Sequence, residues 1–212
     1  MKNNHTLIIG GGIVGVTLAL KLAQAKMPVT LIDARPERNE ADWQQVLEHR
    51  DARVYALSLA SINLLNDVGA WQKIMVSGRK ADYTQMQVWQ LNGRGELLFG
   101  DSDDANNGND SSNSNQNSEP KILGSMVEPA VIEYALWQCL SAADISQYLT
   151  VIAGQKVVDM DWLGSTQGYR VTLDNGSVID ARLLVGADGR GSFVRRQAAI
   201  GLDVLDYKQT AI

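Results

Sequence analysis

Gly10, Gly12 and Gly15 form a Gly-x-Gly-x-x-Gly run, and an acid, Asp33, follows Gly15 by 18 residues. These residue types at this spacing suit a bound dinucleotide. The first glycine permits a tight turn. The second lets the backbone approach a pyrophosphate, and the third lets a helix pack closely on a strand. A helix opening behind the run would offer unpaired N–H groups and positive potential to phosphate. Asp33 would accept hydrogen bonds from a ribose hydroxyl and repel a 2′-phosphate. The alternative is a Gly-rich turn in an ordinary α/β domain.

Context decides between them. Thr6–Ile9 is a short apolar run that suits a buried parallel strand. Ile13 to Ala25 carries apolar residues at helical spacing. Met27 to Ile32 reads as a second strand and delivers Asp33 at its end. Strand, glycines, helix, strand and acid are in register, so a dinucleotide site is the expectation. The motif does not choose between NAD and FAD. No tyrosine has a lysine four positions on, which disfavours a short-chain dehydrogenase.

Two further groups could do chemistry. Arg53 lies in Asp51-Ala-Arg-Val-Tyr-Ala-Leu-Ser58. At a helix start it could grip a pyrophosphate or carboxylate with two N–H groups. On residue types alone, an exposed Arg53 paired with Asp51 is favoured. Asp188 and Gly189 follow the apolar Leu183-Leu-Val185 and precede an Arg-rich helix start. A nucleotide-facing turn and a solvated charged loop are evenly balanced there.

The rest of the composition excludes several classes. One cysteine rules out a disulfide framework and a Cys-based zinc site. Cys139 sits in an apolar run and reads as a core thiol. His5 and His49 are too few and too isolated for a His metal site or a Ser-His-Asp triad, so no metal is expected. The net charge is -5, and residues 100–119 hold five acids and no base. The acidity is therefore local, and nucleic-acid binding is not expected. No apolar run approaches the ~20 residues of a membrane span. A cytoplasmic location is expected.

The remaining elements must position these residues. Residues 34–50 are polar and irregular or partly helical. Leu57 to Val68 reads as a helix stopped by Gly69. Met86–Trp89 and Glu96–Phe99 read as strands joined by a turn at Gly93-Arg-Gly95. Residues 100–119 are rich in Asn and Ser and lack large apolar groups, so a disordered loop is expected. Pro129–Leu140 reads as a helix with proline in its first turn, and Leu149–Ile152 as a strand. Lys156–Trp162, Tyr169–Leu173 and Val178–Leu184 read as a β-meander, with Asp174-Asn-Gly176 as its tight turn. Phe193–Ala199 starts a helix, and a strand-like tail follows to Ile212.

Four segments together carry a resemblance: Ile9-Gly-Gly-Gly-Ile-Val-Gly15, Asp51-Ala-Arg53, Met126-Val-Glu128 and Leu184-Val-Gly-Ala-Asp-Gly189. The chain resembles the group A FAD-dependent aromatic hydroxylases, which share the p-hydroxybenzoate hydroxylase fold. More narrowly it resembles their ubiquinone-biosynthesis branch, the 2-octaprenylphenol and octaprenyl-benzoquinol hydroxylases. Asp51 to Trp71 and Asp206 to Ile212 are the narrowest hints. The likeness covers all but residues 100–119.

The resemblance implies a monooxygenase. NAD(P)H would reduce FAD, and O2 would then supply one oxygen atom to an electron-rich phenol ring of a polyprenyl substrate. Gly10, Gly12 and Gly15 would hold the FAD pyrophosphate, and Asp33 the adenosine ribose. Arg53 would reach the pyrophosphate side, and Glu128 the region of the ribityl chain. Asp188 and Gly189 match an Asp-Gly turn with FAD and NAD(P)H roles. No catalytic residue is assigned. The family usually reads Val-Glu-Asn where this chain has Val127-Glu-Pro129.

The implied fold is α/β: a Rossmann-like FAD-binding fold with a β-meander and part of a substrate-domain sheet, incomplete. Residues 1–80 would begin the FAD-binding domain. Residues 81–125 would give substrate-domain strands, 126–200 would continue the FAD-binding domain, and 201–212 would begin a truncated substrate domain. The family's later Gly-Asp flavin segment has no counterpart here. An N-terminal fragment, inactive alone and prone to self-association through its exposed edge, is therefore expected. Contacts with other ubiquinone-pathway proteins and with the inner membrane surface follow from the resemblance only. Two other readings stand beside it: a non-catalytic nucleotide-fold scaffold, and an FAD hydroxylase of a soluble aromatic.

Overall fold

The structure is a computed structural model that describes residues 5–89, 93, 95–100 and 121–208. The loop expected over 100–119, bar Gly100, lies outside the described residues, as do Arg94 of the expected turn and residues 209–212 of the tail. In chain order the elements begin β1 (Thr6–Ile9), α1 (Ile13–Gln24), β2 (Val29–Asp33), α2 (Glu40–Glu48), β3 (Tyr55–Ser58), α3 (Leu59–Asp67) and α4 (Ala70–Ser77). Then come β4 (Lys80–Tyr83), β5 (Gln85–Trp89), β6 (Glu96–Gly100), β7 (Gly124–Val127) and α5 (Pro129–Trp137). The last are β8 (Leu149–Ala153), β9 (Val157–Trp162), β10 (Tyr169–Leu173), β11 (Val178–Ala181), β12 (Leu183–Gly186) and α6 (Phe193–Gln197). Two compact units result: Met1–Asn39 with Leu140–Ile212, and Glu40–Cys139.

The first unit is built on a parallel sheet in the order β12-β1-β2-β8. Its central strands are apolar on both faces, as a sheet covered on both sides requires. Leu7, Ile8, Leu31 and Ile32 are all essentially inaccessible. Leu7, Ile9 and Ile32 share one face and pack with Val157, Val171, Leu173 and Ala181 of the antiparallel sheet β11-β10-β9. Strand alternation turns Ile8 and Leu31 the other way. α1 packs against β1, β2 and β8, with Val16, Ala19, Leu20 and Ala23 buried. The βαβ unit and the meander are present as the sequence predicts.

One prediction splits. Val178–Leu184 reads as one strand, yet β11 pairs antiparallel with β10 while β12 pairs parallel with β1. The change falls at Arg182, whose N–H donates to His5 O at 2.9 Å. A continuous apolar run does not reveal that it serves two sheets. The tail also differs: residues 201–208 form neither helix nor strand. Its Leu202, Val204, Leu205 and Tyr207 are nevertheless exposed.

Among the described residues, the second unit holds an antiparallel sheet in the order β3-β7-β4, the hairpin β5-β6, and four helices. The helix predicted from Leu57 begins two residues later. Tyr55–Ser58 pairs with β7, and Ser58 Oγ caps α3 by accepting from Ser61 N. Gly69 closes that helix with φ +81°, a conformation that favours glycine. α4, β4 and β7 carry no clear sequence signal. Their short runs become ordered through each other: Lys80 to Tyr83 and Tyr55 to Ser58 both pair with Gly124 to Val127. Cys139 is buried as predicted, and burial pushes its thiol pKa up.

Candidate cofactor site

The site of the first unit lies at the carboxyl ends of its parallel strands. From β1 the sheet runs to β2 on one side and β12 on the other. Such a reversal of strand order opens the crevice where α/β sheets bind ligands. Gly10 N donates to Ile32 O at 2.8 Å, and Ala187 N donates to Ile9 O at 2.7 Å. The turns after β1 and β12 are thereby tied together.

The three glycines do different work. Gly10 has φ +112°, and a Cβ there would meet Ala187 O at 2.3 Å. A Cβ on Gly15 would meet Gly10 O at 1.9 Å. Both are fixed by backbone approach. Gly12 differs: a Cβ there would meet nothing within 4 Å. It caps α1 without a side-chain hydrogen bond, and α1 has no acid in its first turn. The first N–H groups of α1 are thus uncompensated by charge on their own helix. Open space in front of Gly12 and an uncapped helix start suit a pyrophosphate.

Asp33 ends β2 and is buried. Its carboxylate packs against the loop so closely that a Cβ on Gly11 would meet Oδ2 at 2.3 Å. Arg35, missed by the sequence reading, grips that carboxylate. Its backbone N–H reaches Oδ1 at 2.7 Å, and Nη2 reaches Oδ2 at 2.9 Å and Gly11 O at 3.0 Å. Arg35 Nε lies 3.2 Å from Oδ1 and 3.3 Å from Oδ2, so Arg35 meets both carboxylate oxygens. An arginine two residues past a strand-end acid is a signal the sequence already contained.

Asp188 organises its own turn. Oδ1 accepts from Ser192 Oγ at 2.5 Å, and Oδ2 accepts from Phe193 N at 2.6 Å and Val194 N at 3.2 Å. Gly189 follows at φ +80°. The carboxylate therefore shapes the turn beside Gly10, whose added Cβ would lie 2.7 Å from Asp188 N. The structure brings Gly10, Gly12, Gly15, Asp33, Asp188 and Gly189 to the carboxyl end of the parallel sheet.

Arg53 and Glu128 belong to the second unit. Arg53 is exposed and paired with Asp51, Nη2 to Oδ2 at 2.9 Å, as residue types alone favour. That guanidinium holds the Asp51 carboxyl below its ordinary range. Glu128 is buried at the end of β7. Arg79 donates to it twice, Nε to Oε1 at 3.1 Å and Nη2 to Oε2 at 2.6 Å. Asp51 N donates to Oε2 at 2.9 Å, and Arg50 Nη1 lies 3.4 Å from Oε1. Pro129 starts α5 at a position where no amide donor is needed. Arg79 had no sequence signal, because 49 residues separate it from its partner.

The Arg79 guanidinium holds the Glu128 carboxyl below the ordinary value of 4.5, against the opposing effect of burial. A lowered native pKa stabilises the fold above the unfolded value and loses that contribution as pH falls through the native one. Denaturant unfolding is expected to show less stability at about pH 3 than at about pH 6. Glu128→Gln should flatten this dependence. An unchanged slope in that variant would remove Glu128 from the acid response.

Fold and site together define a dinucleotide-binding α/β protein of the flavoprotein type. The chain belongs to the family described as FAD binding domain, whose model matches residues 3–210, and its cofactor is FAD. It is 34% identical over 217 residues to 3-demethoxyubiquinol 3-hydroxylase of Escherichia coli (strain K12), covering 100% of this chain and 48% of that protein. It is 30% identical over 216 residues to the mitochondrial ubiquinone biosynthesis monooxygenase COQ6 of Rattus norvegicus, covering 97% of this chain and 41% of that one. The chain thus spans about half the length of the curated relatives it matches.

Solved structures confirm the fold. Pseudomonas aeruginosa PqsL, described as a probable FAD-dependent monooxygenase, superposes with TM-score 0.64 at 21% identity, over 96% of this chain and 48% of its own. The Diels-Alderase PyrE3 superposes with TM-score 0.61 at 19% identity, over 93% of this chain and 35% of its own. Two such different activities on one scaffold mean that the fold alone does not choose the reaction.

Proposed function

We propose that this chain is the FAD-holding part of a monooxygenase that hydroxylates the aromatic ring of a polyprenyl phenol or quinol precursor of ubiquinone. The observation that carries the reading is the 34% identity, along the whole chain, to 3-demethoxyubiquinol 3-hydroxylase. FAD, when bound, supplies electron transfer from NAD(P)H and activation of O2. The chain's own residues bind and orient it. Gly10 and Gly15 shape the cradle, Gly12 leaves room for the pyrophosphate, and Asp33 holds the adenosine ribose. Asp188 and Gly189 shape the neighbouring turn. Arg53 and Glu128 enter through the motif resemblance, as contributors on the pyrophosphate and ribityl sides.

The chain spans 48% of that relative, and the role we assign to it is cofactor binding. No described helix is long and apolar enough to cross a membrane. A polyprenyl tail partitions into a bilayer, which supports peripheral contact with the inner membrane. The exposed Ile200, Leu202, Val204, Leu205 and Tyr207 support self-association of the isolated chain.

Titration with FAD, followed by flavin fluorescence, tests the cofactor part. One saturable site supports it, and absence of saturation overturns it. A chimera tests the substrate, with this chain replacing the matching half of the E. coli enzyme. Hydroxylation of 3-demethoxyubiquinol supports the proposal. Hydroxylation confined to water-soluble phenols overturns it in favour of a soluble aromatic substrate.

A further inference from the structure

Glu128 stands at the end of the central strand of the β3-β7-β4 sheet. Val127 pairs with Tyr55 on one side and Lys80 on the other. Carried one residue further, the register puts Glu128 between the 50–54 segment and Arg79. The bonds follow that placement. Arg79 holds both carboxylate oxygens, and Oε2 accepts the Asp51 amide at 2.9 Å. Arg79 Nη1 also donates to Leu47 O at 2.5 Å, in the last turn of α2. That turn has no basic residue of its own, so Arg79 supplies the cation a helix C-terminus favours.

The chain of contacts continues outward. Asp51 Oδ1 accepts from Arg53 N at 2.9 Å, and Asp51 Oδ2 accepts from Arg53 Nη2 at 2.9 Å. Arg79 and Glu128 have side chains only 17% and 6% exposed, whereas Arg53 is 76% exposed. A buried pair therefore fixes the backbone that aims an exposed guanidinium. We propose that Arg79 is a positioning residue: through Glu128 it locks the Asp51 amide and so sets the direction of Arg53. In this arrangement Glu128 acts through the loop it anchors. The proposal deepens the reading of Arg53 as a cofactor contact and rests on that reading only for its effect on FAD.

Two readouts test it. The first is hydrogen exchange of the Asp51 amide in the full chain, without cofactor. Arg79→Lys keeps the charge but loses the paired N–H groups, and Arg79→Met removes both. Exchange is expected to speed up about tenfold in Arg79→Lys and further in Arg79→Met. The second is FAD affinity in a double-mutant cycle. Arg79→Lys is expected to weaken FAD several-fold when Arg53 is present and to change nothing in an Arg53→Ala background. Unaltered Asp51 exchange in both Arg79 variants overturns the proposal. So does a loss of affinity that is equal with and without Arg53. If Arg53→Ala alone leaves FAD affinity unchanged, the cofactor role of Arg53 falls, and Asp51 exchange still decides whether Arg79 positions the loop.

Discussion

Gly12→Trp is expected to abolish saturable FAD binding, a loss of at least ~100-fold or about 3 kcal/mol, and to leave the unfolding midpoint near that of the parent. The reason is geometric. Gly12 has φ -77° and ψ -177°, which any residue adopts, and a Cβ there meets nothing within 4 Å. A large side chain would fill only the space in front of the helix start. Gly15→Ala is expected to fail in the opposite way, since its Cβ would lie 1.9 Å from Gly10 O. Backbone on both sides leaves no cheap relaxation. Flavin-fluorescence titration beside thermal unfolding by circular dichroism separates the two effects. A Gly12→Trp chain that binds FAD like the parent would place the cofactor elsewhere, and a Gly15→Ala chain with the parental midpoint would refute the close approach.

Arg79→Ala is expected to cost about 3 kcal/mol or more in stability, because it leaves a carboxylate buried without its main partner. Arg50 is a poor substitute at 3.4 Å with a side chain 77% exposed. Replacing both members by apolar residues of similar size, Arg79→Met with Glu128→Leu, should recover most of the loss. The contrast is the Arg170–Asp180 pair, bidentate at 2.8 Å yet half-exposed on both sides. Water screens that pair, so Arg170→Ala should leave the midpoint nearly unchanged. Urea unfolding of all four chains is the measurement. Equal effects of Arg79→Ala and Arg170→Ala would contradict the assigned importance of burial.

Local periodicity and punctuation reveal much of the first unit. The βαβ unit, the meander and the Asp174-Asn-Gly176 turn are signalled by residues within a few positions of one another. The same holds for the glycine cradle, whose spacing is itself the constraint. The second unit was less legible. α4, β4 and β7 are short, and their strands gain order by pairing across tens of residues. Val178–Leu184 shows another limit, because apolarity records burial and not which sheet buries it.

The sequence by itself determined the class of fold, the glycine spacing of the turn after β1, the acid at the end of β2 and the family. Each is written in spacings that a chain imposes on itself. Only the tertiary structure decided which distant groups meet. It brought Arg35 onto the backbone of Gly11, 24 residues away, and joined Arg79 to Glu128 across 49 residues. An ion pair depends on distance in space and on exclusion of water. Neither quantity is encoded locally, and both arise only when distant strands come into register.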